Sequence, residues 1–404
     1  MVILANWNDK PVTISHKSNS LTLSLENKDK TSVFSFDKTG RLWTALVDGI
    51  SYRRGLNGNI VAKWNSNNTV LHRRWLSKSE SENLLLTAHQ TIKLIYQDFF
   101  TSSFLTKIPL STEIEHEFER LSKINLEFYA KDINRYHQIY KPVGILPPDQ
   151  YMSVVLQLTE GCSFNTCTFC NFYKDRPFRI RTKQDFDSHI LSIKNYLSDS
   201  LSLRRTIFLG DANALVTPML KLVPLLEIIH KHLDVEKLGG LFAFLDGFSG
   251  DKKTFDDFRT LKFLGLKRIY IGLESGNNEL LQFLKKPGKS EDALSAVHSI
   301  KKANLSVGVI VLLGAGGKQF EANHIRDTIQ ILNQMNLDAD DILYFSELIE
   351  NENIDYTINE TQKILNPLTS EERILQGEII SRELIFSENG TPHISRYDIR
   401  DFVY

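Results

Sequence analysis

The stretch SVVLQLTEGCSFNTCTFCNFY (153–173) starts as a strand and ends as a loop that carries every cysteine of the 404-residue chain. Val154, Val155, Leu156 and Leu158 make an apolar, β-branched run. After Thr159 the residues turn small and polar, with a glycine at 161, as at the exit from a buried strand. Cys162, Cys167 and Cys170 lie within nine positions, and the other 395 residues contain none. Three thiols are one too many for a disulfide and one too few to close a tetrahedral zinc site.

Downstream, runs of the same kind recur at RTIFLGD (205–211), GLFAFLDG (240–247), KRIYIGLES (267–275), SVGVIVLLG (306–314) and DILYFSEL (341–348). Amphipathic stretches separate them, for example TPMLKLVPLLEIIHKHL (217–233) and FEANHIRDTIQILNQM (320–335). Strands alternating with helices predict a parallel sheet buried on both faces. Six units fit an α/β fold with a partial (β/α)6 TIM-like barrel; a doubly wound open sheet is the alternative. In such a barrel the chemistry belongs at the C-terminal strand ends, and the cysteines follow the first strand directly.

Upstream, LTLSL (21–25), SVFSF (32–36) and NIVAKW (59–64) read as strands between turn residues. Thr112 and Glu115 suggest a capping box, opening one long helical stretch through IEHEFERLSKINLEFYAKDINRYHQIY. The prolines of KPVGILPPDQ (141–150) then break the pattern. The expected domains are a β-rich then helical accessory region over 1–145, a barrel over 150–350, and a mostly helical extension over 351–404. A terminal helix is expected within 369–386, with the closing PHISRYDIRDFVY folded back over the barrel. The basic–aromatic patches SYRRG (51–55) and HRRW (72–75) read equally as a binding surface or as salt-bridge partners.

Apolar residues make up 42% and charged residues 24%, with a formal net charge of -1. That balance suits a globular protein and argues against bulk electrostatic binding to nucleic acid. The first residues carry no basic n-region and no small-residue cleavage site. The longest apolar run, VGVIVLLGAGG (307–317), is too short to span a bilayer. Cysteine use fits a reducing compartment. The expectation is a soluble cytoplasmic protein with no membrane partner, nucleic acid being an improbable one.

The three cysteines admit several readings. They could be buried small hydrophobes. A zinc ion would need a remote fourth ligand, since no histidine lies between His137 and His189. Three thiolates also suit a [4Fe–4S] cluster with one iron left open to an exogenous molecule.

Cys162-x4-Cys167-x2-Cys170, with Phe169 before the last cysteine, resembles the radical S-adenosylmethionine superfamily, whose usual spacing, CxxxCxxC, is one residue shorter. FLGDANAL (208–215) resembles its glycine-rich segment after the second strand. IGLESGNNELLQFLKKPGK (271–289) looks like its fourth-strand ribose segment. VGVIVLLGAGG and YFSEL (344–348) are similar to its fifth- and sixth-strand segments. The pattern is closest to the group sharing the Elp3/MiaB/NifB-type barrel. The resemblance implies one [4Fe–4S] cluster on Cys162, Cys167 and Cys170. It also implies reductive cleavage of S-adenosylmethionine to a 5′-deoxyadenosyl radical that abstracts hydrogen from a substrate.

In that reading Phe169 packs beside adenine, Gly210 and Asp211 hold the methionine ammonium, and Glu274 and Ser275 face the ribose. Gly314 and Phe345 complete the cofactor wall. Arg179 and Arg181 are further candidates for an anionic group, and Asp246 stands near the same mouth. Each has a plainer reading as cap, turn or core residue. A flavodoxin- or ferredoxin-type electron donor is implied as partner. Without a fourth cysteine there is no second cysteine-ligated cluster, which excludes methylthiotransferase-like enzymes. The N-terminal region has no cobalamin-domain rhythm. The alternatives are a cluster- and heme-binding chaperone resembling the coproporphyrinogen-oxidase-like group, and a zinc-binding structural or nucleic-acid-binding module. No residue is assigned as the catalytic one, and nothing names the substrate.

Overall fold

A computed structural model describes all residues except 28–29, 67–69, 251–252, 350–353, 358–364 and 387. The chain falls into two compact units. One comprises Met1–Pro142, Ser192–Arg204 and Arg400–Tyr404; the other comprises Val143–Leu191 and Arg205–Ile399.

The first unit is built on an antiparallel meander: β1 (Val2–Trp7), β2 (Lys10–His16), β3 (Ser20–Asn27), β4 (Lys30–Asp37), β5 (Leu42–Val47), β6 (Ile50–Arg54), β7 (Ile60–Ser66) and β8 (Val70–Trp75). A short strand, β9 (Phe104–Thr106), returns beside β1. Period-two alternation sends Ile3, Ile14, Leu23 and Phe34 to one face, where Ile3 pairs with Ile14 and Leu23 with Phe34. They pack with Leu85, Ile92 and Ile95 of helix Lys78–Asp98 and with Ile114 and Phe118 of helix Thr112–Ser122. Burying each such side chain stabilises by about 1.5–3 kcal/mol.

Three details of this unit differ from the sequence expectation. Helix Lys78–Asp98, closed by a Ser77–Glu80 capping box, was not among the expected elements. The cap before Thr112 is Ser111, so Thr112 is already helical and the Thr112–Glu115 box does not form. The long helical stretch breaks after Ser122, because the Asn125 side chain accepts from the N–H of Phe128 and starts a new helix, Leu126–Ile139. In the basic patches, Arg54 pairs with Asp132, Arg73 with Asp401 and Arg74 with Glu80.

The second unit holds a parallel sheet: β10 (Ser153–Gln157), β13 (Thr206–Gly210), β14 (Leu241–Phe244), β15 (Leu266–Glu274), β16 (Ser306–Leu313), β17 (Ile342–Glu347) and β18 (His393–Tyr397), in that order. Two short strands, β11 (Thr159–Glu160) and β12 (Arg179–Ile180), pair with each other apart from it. Helices Met219–His232, Phe255–Phe263, Ser290–Lys302 and Gly317–Gln334 connect the strands, which gives the α/β partial-barrel order. The six expected strands are present, and β18 adds a seventh beside β17. Residues 393–397 therefore correct the expectation of a mostly helical extension. Helix Ser370–Arg382 does lie there, whereas 351–353, 358–364 and 387 lie outside the described residues. At the start of the barrel, Asp149 accepts from the Tyr270 and Tyr344 phenols, the latter at 2.8 Å, and pairs with Arg268 at 3.1 Å. Gly308 leaves room for the Tyr270 ring, since a Cβ there would sit 2.4 Å from it.

Candidate functional site

The chain leaves β10 into β11, whose pairing with β12 closes the base of a loop over 161–178. Glu160 reinforces the closure, accepting from Arg179 at 2.6 and 2.7 Å and pairing with Arg181 at 2.8 Å. Gly161 lies at φ +75°, and a Cβ there would meet the Pro177 carbonyl at 2.8 Å, so the turn requires glycine. Within the first cysteine gap, Asn165 sits in the left-handed region at φ +55° and donates its side-chain amide to Tyr173 O at 2.9 Å. Asparagine tolerates that conformation better than most side chains. Phe164 packs edge-on against Phe248 at 4.2 Å.

The far side of the loop is stitched to a helix end. Helix Asn278–Phe283 closes with Lys285 at φ +51°; the Lys285 N–H bonds Gln282 O and the Lys286 N–H bonds Leu281 O, both at 3.0 Å. This is a Schellman cap with lysine at the usual glycine position. The carbonyls left over receive the residues flanking Cys167: Thr166 Oγ1 donates to Lys285 O at 3.0 Å and the Thr168 N–H to Leu284 O at 2.9 Å.

All three cysteines line one cavity of about 240 Å³, open to solvent at the C-terminal ends of the strands. Around them stand Phe169 from the loop, Asn213 after β13, Asp246 after β14, Glu274 at the end of β15 and Glu347 at the end of β17. The wall is otherwise mostly apolar, and the Tyr270 ring forms part of it. Burial pushes the Cys167 thiol up and the Cys170 thiol up to about 12. Buried thiols of this kind are poor free nucleophiles and become thiolates when a metal displaces the proton. The backbone N–H of Phe172 bonds the Cys170 sulfur. Among the described residues no three His, Cys, Asp or Glu side chains converge to hold one metal ion. Separated thiols fit a cluster instead, in which each thiolate binds its own iron.

Two carboxylates at the strand ends are held differently. Asp211 accepts from the Gln157 amide at 2.7 Å and the Gly161 N–H at 2.9 Å, and pairs with Arg176 at 3.1 Å. It ties the loop to β10 and β13. Burial raises its pKa, and Arg176, Gln157 and Gly161 offset that rise only in part. Glu274 sits where the β15–β16 register shifts, at φ +61°. Backbone strain of this kind costs about 1–3 kcal/mol and gathers at functional sites. Its carboxylate meets Lys286 at 3.5 Å, and Gly272 beneath leaves the space, since a Cβ there would lie 2.3 Å from Glu274 Oε1. Burial raises the Glu274 pKa against the pull of Lys286. Burial opposes the Lys286 charge, but Glu274 and Cys167 outweigh it and raise its pKa.

Residues 156–332, which contain the loop and both carboxylates, match the model of the Radical SAM superfamily. These residues form a radical SAM domain. The family is one of enzymes that generally use a [4Fe–4S] cluster and S-adenosylmethionine. Solved structures similar to the chain include the cobalamin-dependent S-adenosylmethionine radical enzyme OxsB, at 15% identity and TM-score 0.39 over 70% of this chain and 35% of that one. Coproporphyrinogen III oxidase (HemN) from Escherichia coli matches at 13% identity and TM-score 0.42, over 62% of this chain and 56% of that one. Methylornithine synthase (PylB) matches at 12% and TM-score 0.41, over 78% and 85%. The chain thus spans 35% and 56% of the first two of these structures. No curated protein matches the chain.

Within the radical SAM domain the cavity brings together Cys162, Cys167, Cys170, Phe169, Asp246 and Glu274 of the residues expected from sequence. Gly210, Asp211, Ser275, Gly314 and Phe345 are not in its wall. Asp211 is engaged as the loop's anchor. The Ser275 hydroxyl contacts His324 Nδ1 at 2.7 Å and caps the N–H of Asn277. The Gly314 N–H donates to Gln376, and Phe345 borders a separate depression beside Ile394 and Arg396. Arg179 and Arg181 are spent on Glu160 and Asp185. The sequence reading missed Asn213 and Lys286. Asn213 is buried and donates to Asp246 and Ser163, and its Oδ1 accepts no hydrogen bond among the described residues. Its place two residues beyond Asp211 was the available signal.

Proposed function

We propose that the protein is a radical SAM enzyme that holds one [4Fe–4S] cluster on Cys162, Cys167 and Cys170 and binds S-adenosylmethionine in the cavity beside it. The observation carrying this is that three thiols from one loop and the strained Glu274 line the same cavity at the barrel mouth. Bound there, cluster and cofactor would supply one-electron cleavage to a 5′-deoxyadenosyl radical able to take hydrogen from a substrate.

The chain's own residues have separate tasks. Phe169, packed against a cluster that includes Leu312, Leu348 and Ile354, offers a flat apolar face for an adenine ring. Glu274 offers carboxylate oxygens to hydroxyl donors such as those of a ribose, and the unpartnered Asn213 Oδ1 offers an acceptor to an ammonium. Asp246, Glu274 and Glu347 against the single Lys286 leave the described lining negative, which suits a cationic cofactor. The apolar wall excludes water from a reactive species. An electron donor of the flavodoxin or ferredoxin type is the expected partner. No helix among the described residues is long and apolar enough to cross a membrane.

Anaerobic reconstitution, with iron and sulfide counts and a 5′-deoxyadenosine assay after reduction, tests this reading. It expects four irons per chain and cofactor cleavage, both lost in Cys170→Ser. Zinc without iron would overturn the cluster. A cluster that never cleaves S-adenosylmethionine, in a chain that binds heme, would make the protein a carrier.

A further inference from the structure

The Schellman cap of helix Asn278–Phe283 does more than end a helix. Its free carbonyls, on Leu284 and Lys285, hold both neighbours of Cys167, so the next residue, Lys286, is fixed beside that thiol. Lys286 projects into the cysteine cavity, where it is the only basic group in the described lining. Its ammonium lies 3.5 Å from Glu274, a long contact for an ion pair, and is within electrostatic reach of Cys167. Gly272 keeps the space under both groups clear. One cation is thus shared between a carboxylate and a thiol, in a described lining whose other charged side chains are all acids.

We propose that Lys286 is the counter-charge of the cluster and sets its reduction potential, with Glu274 as its opposing weight. The inference rests on the [4Fe–4S] reading above. Reduction adds one electron from the donor to the oxidised cluster and breaks no bond. With three thiolates, the net charge at the site passes from one negative to two. A fixed cation in the same cavity favours the more negative state, and in a low-dielectric wall its effect is little screened. Lys286 is a positioning residue in this account: it acts on the cluster through space.

The test is a mediated potentiometric titration with dithionite, followed by electron paramagnetic resonance, on reconstituted full-length protein without S-adenosylmethionine. Lys286→Met is expected to keep the wild-type iron content and to move the potential negative by about 59 mV or more, a tenfold change in the one-electron equilibrium. Lys286→Arg is expected to restore most of the shift. Lys285→Met, which removes an exposed charge one residue away, is expected to leave the potential at the wild-type value. Glu274→Gln is expected to move it positive, and it decides the matter should Lys286→Met fail to load iron. An unchanged potential in a loaded Lys286→Met, or in Glu274→Gln, overturns the inference while leaving the cluster and its chemistry intact. A wild-type chain that assembles no iron–sulfur cluster overturns both readings.

Discussion

The ends of the second and fourth barrel strands carry one buried carboxylate each, and the surroundings give them opposite tasks. Asp211 is saturated by an amide, a backbone N–H and a guanidinium, and it is not in the cavity wall. Glu274 has one distant ammonium, a strained backbone and open space in front of it. In sequence the two look alike, each an acid at the exit of an apolar strand. Neighbours decide the difference: a carboxylate whose lone pairs are filled by the fold holds the fold, and one left short of partners is available to a ligand.

The largest expected effect strikes the saturated side. Asp211→Ala removes the buried carboxylate from Arg176, which keeps the exposed Asp175 at 2.9 Å, and is expected to destabilise the metal-free protein by about 3–5 kcal/mol in denaturant unfolding. Replacing both, as Asp211→Leu with Arg176→Leu, should recover part of that loss. A cost below about 1 kcal/mol for Asp211→Ala would dissolve the contrast with Glu274.

Next comes the support behind Glu274. Burial holds His324, which contacts Ser275, down to about 4. Its folded-state pKa lies below the unfolded value of about 6.5, so its contribution is full above that pH and is lost as the pH falls toward 4. The loss amounts to about 3 kcal/mol. Unfolding free energies at pH 7 and 4.5 should therefore diverge more in wild type than in His324→Gln; equal slopes would remove His324 from the account.

The unsaturated side should lose binding rather than stability. Glu274→Gln is expected to weaken S-adenosylmethionine, measured by calorimetry on reconstituted protein, by about 1.5–3 kcal/mol, roughly tenfold to a hundredfold. Gly272→Ala should weaken it in the same direction, because the added methyl displaces the carboxylate. Unaltered affinity in both would leave Glu274 no more functional than Asp211. The smallest effect concerns the loop itself: Asn165→Ala should cost about 1 kcal/mol, while Asn165→Gly should cost little, as a left-handed residue predicts.

What could be read from the residues follows the same division. Runs such as Val154–Leu156 and Val307–Leu313 are apolar on both faces because the strands are covered on both faces, so the barrel is visible in one dimension. β18 is not, since an edge strand paired, among the described residues, only with β17 stays half-exposed and mixes Ile394 with Ser395 and Arg396. Helix Lys78–Asp98 hides behind three consecutive leucines and exposed Leu86 and Leu94, which blur its period. The cysteines announce the site by their spacing. Lys286 does not, because its direction depends on Lys285 taking the left-handed position where a glycine is the usual signal.

Gly161, Asn165, Thr166 and Thr168 make bonds that shape the cysteine loop, and none of these four uses a thiol. The entropy of ordering that loop is therefore lost when the chain folds rather than when iron arrives. Maturation becomes an exchange at a finished mouth. A chelator should strip the metal and leave the chain folded, and a delivery protein needs only to reach the opening, not to hold the polypeptide apart.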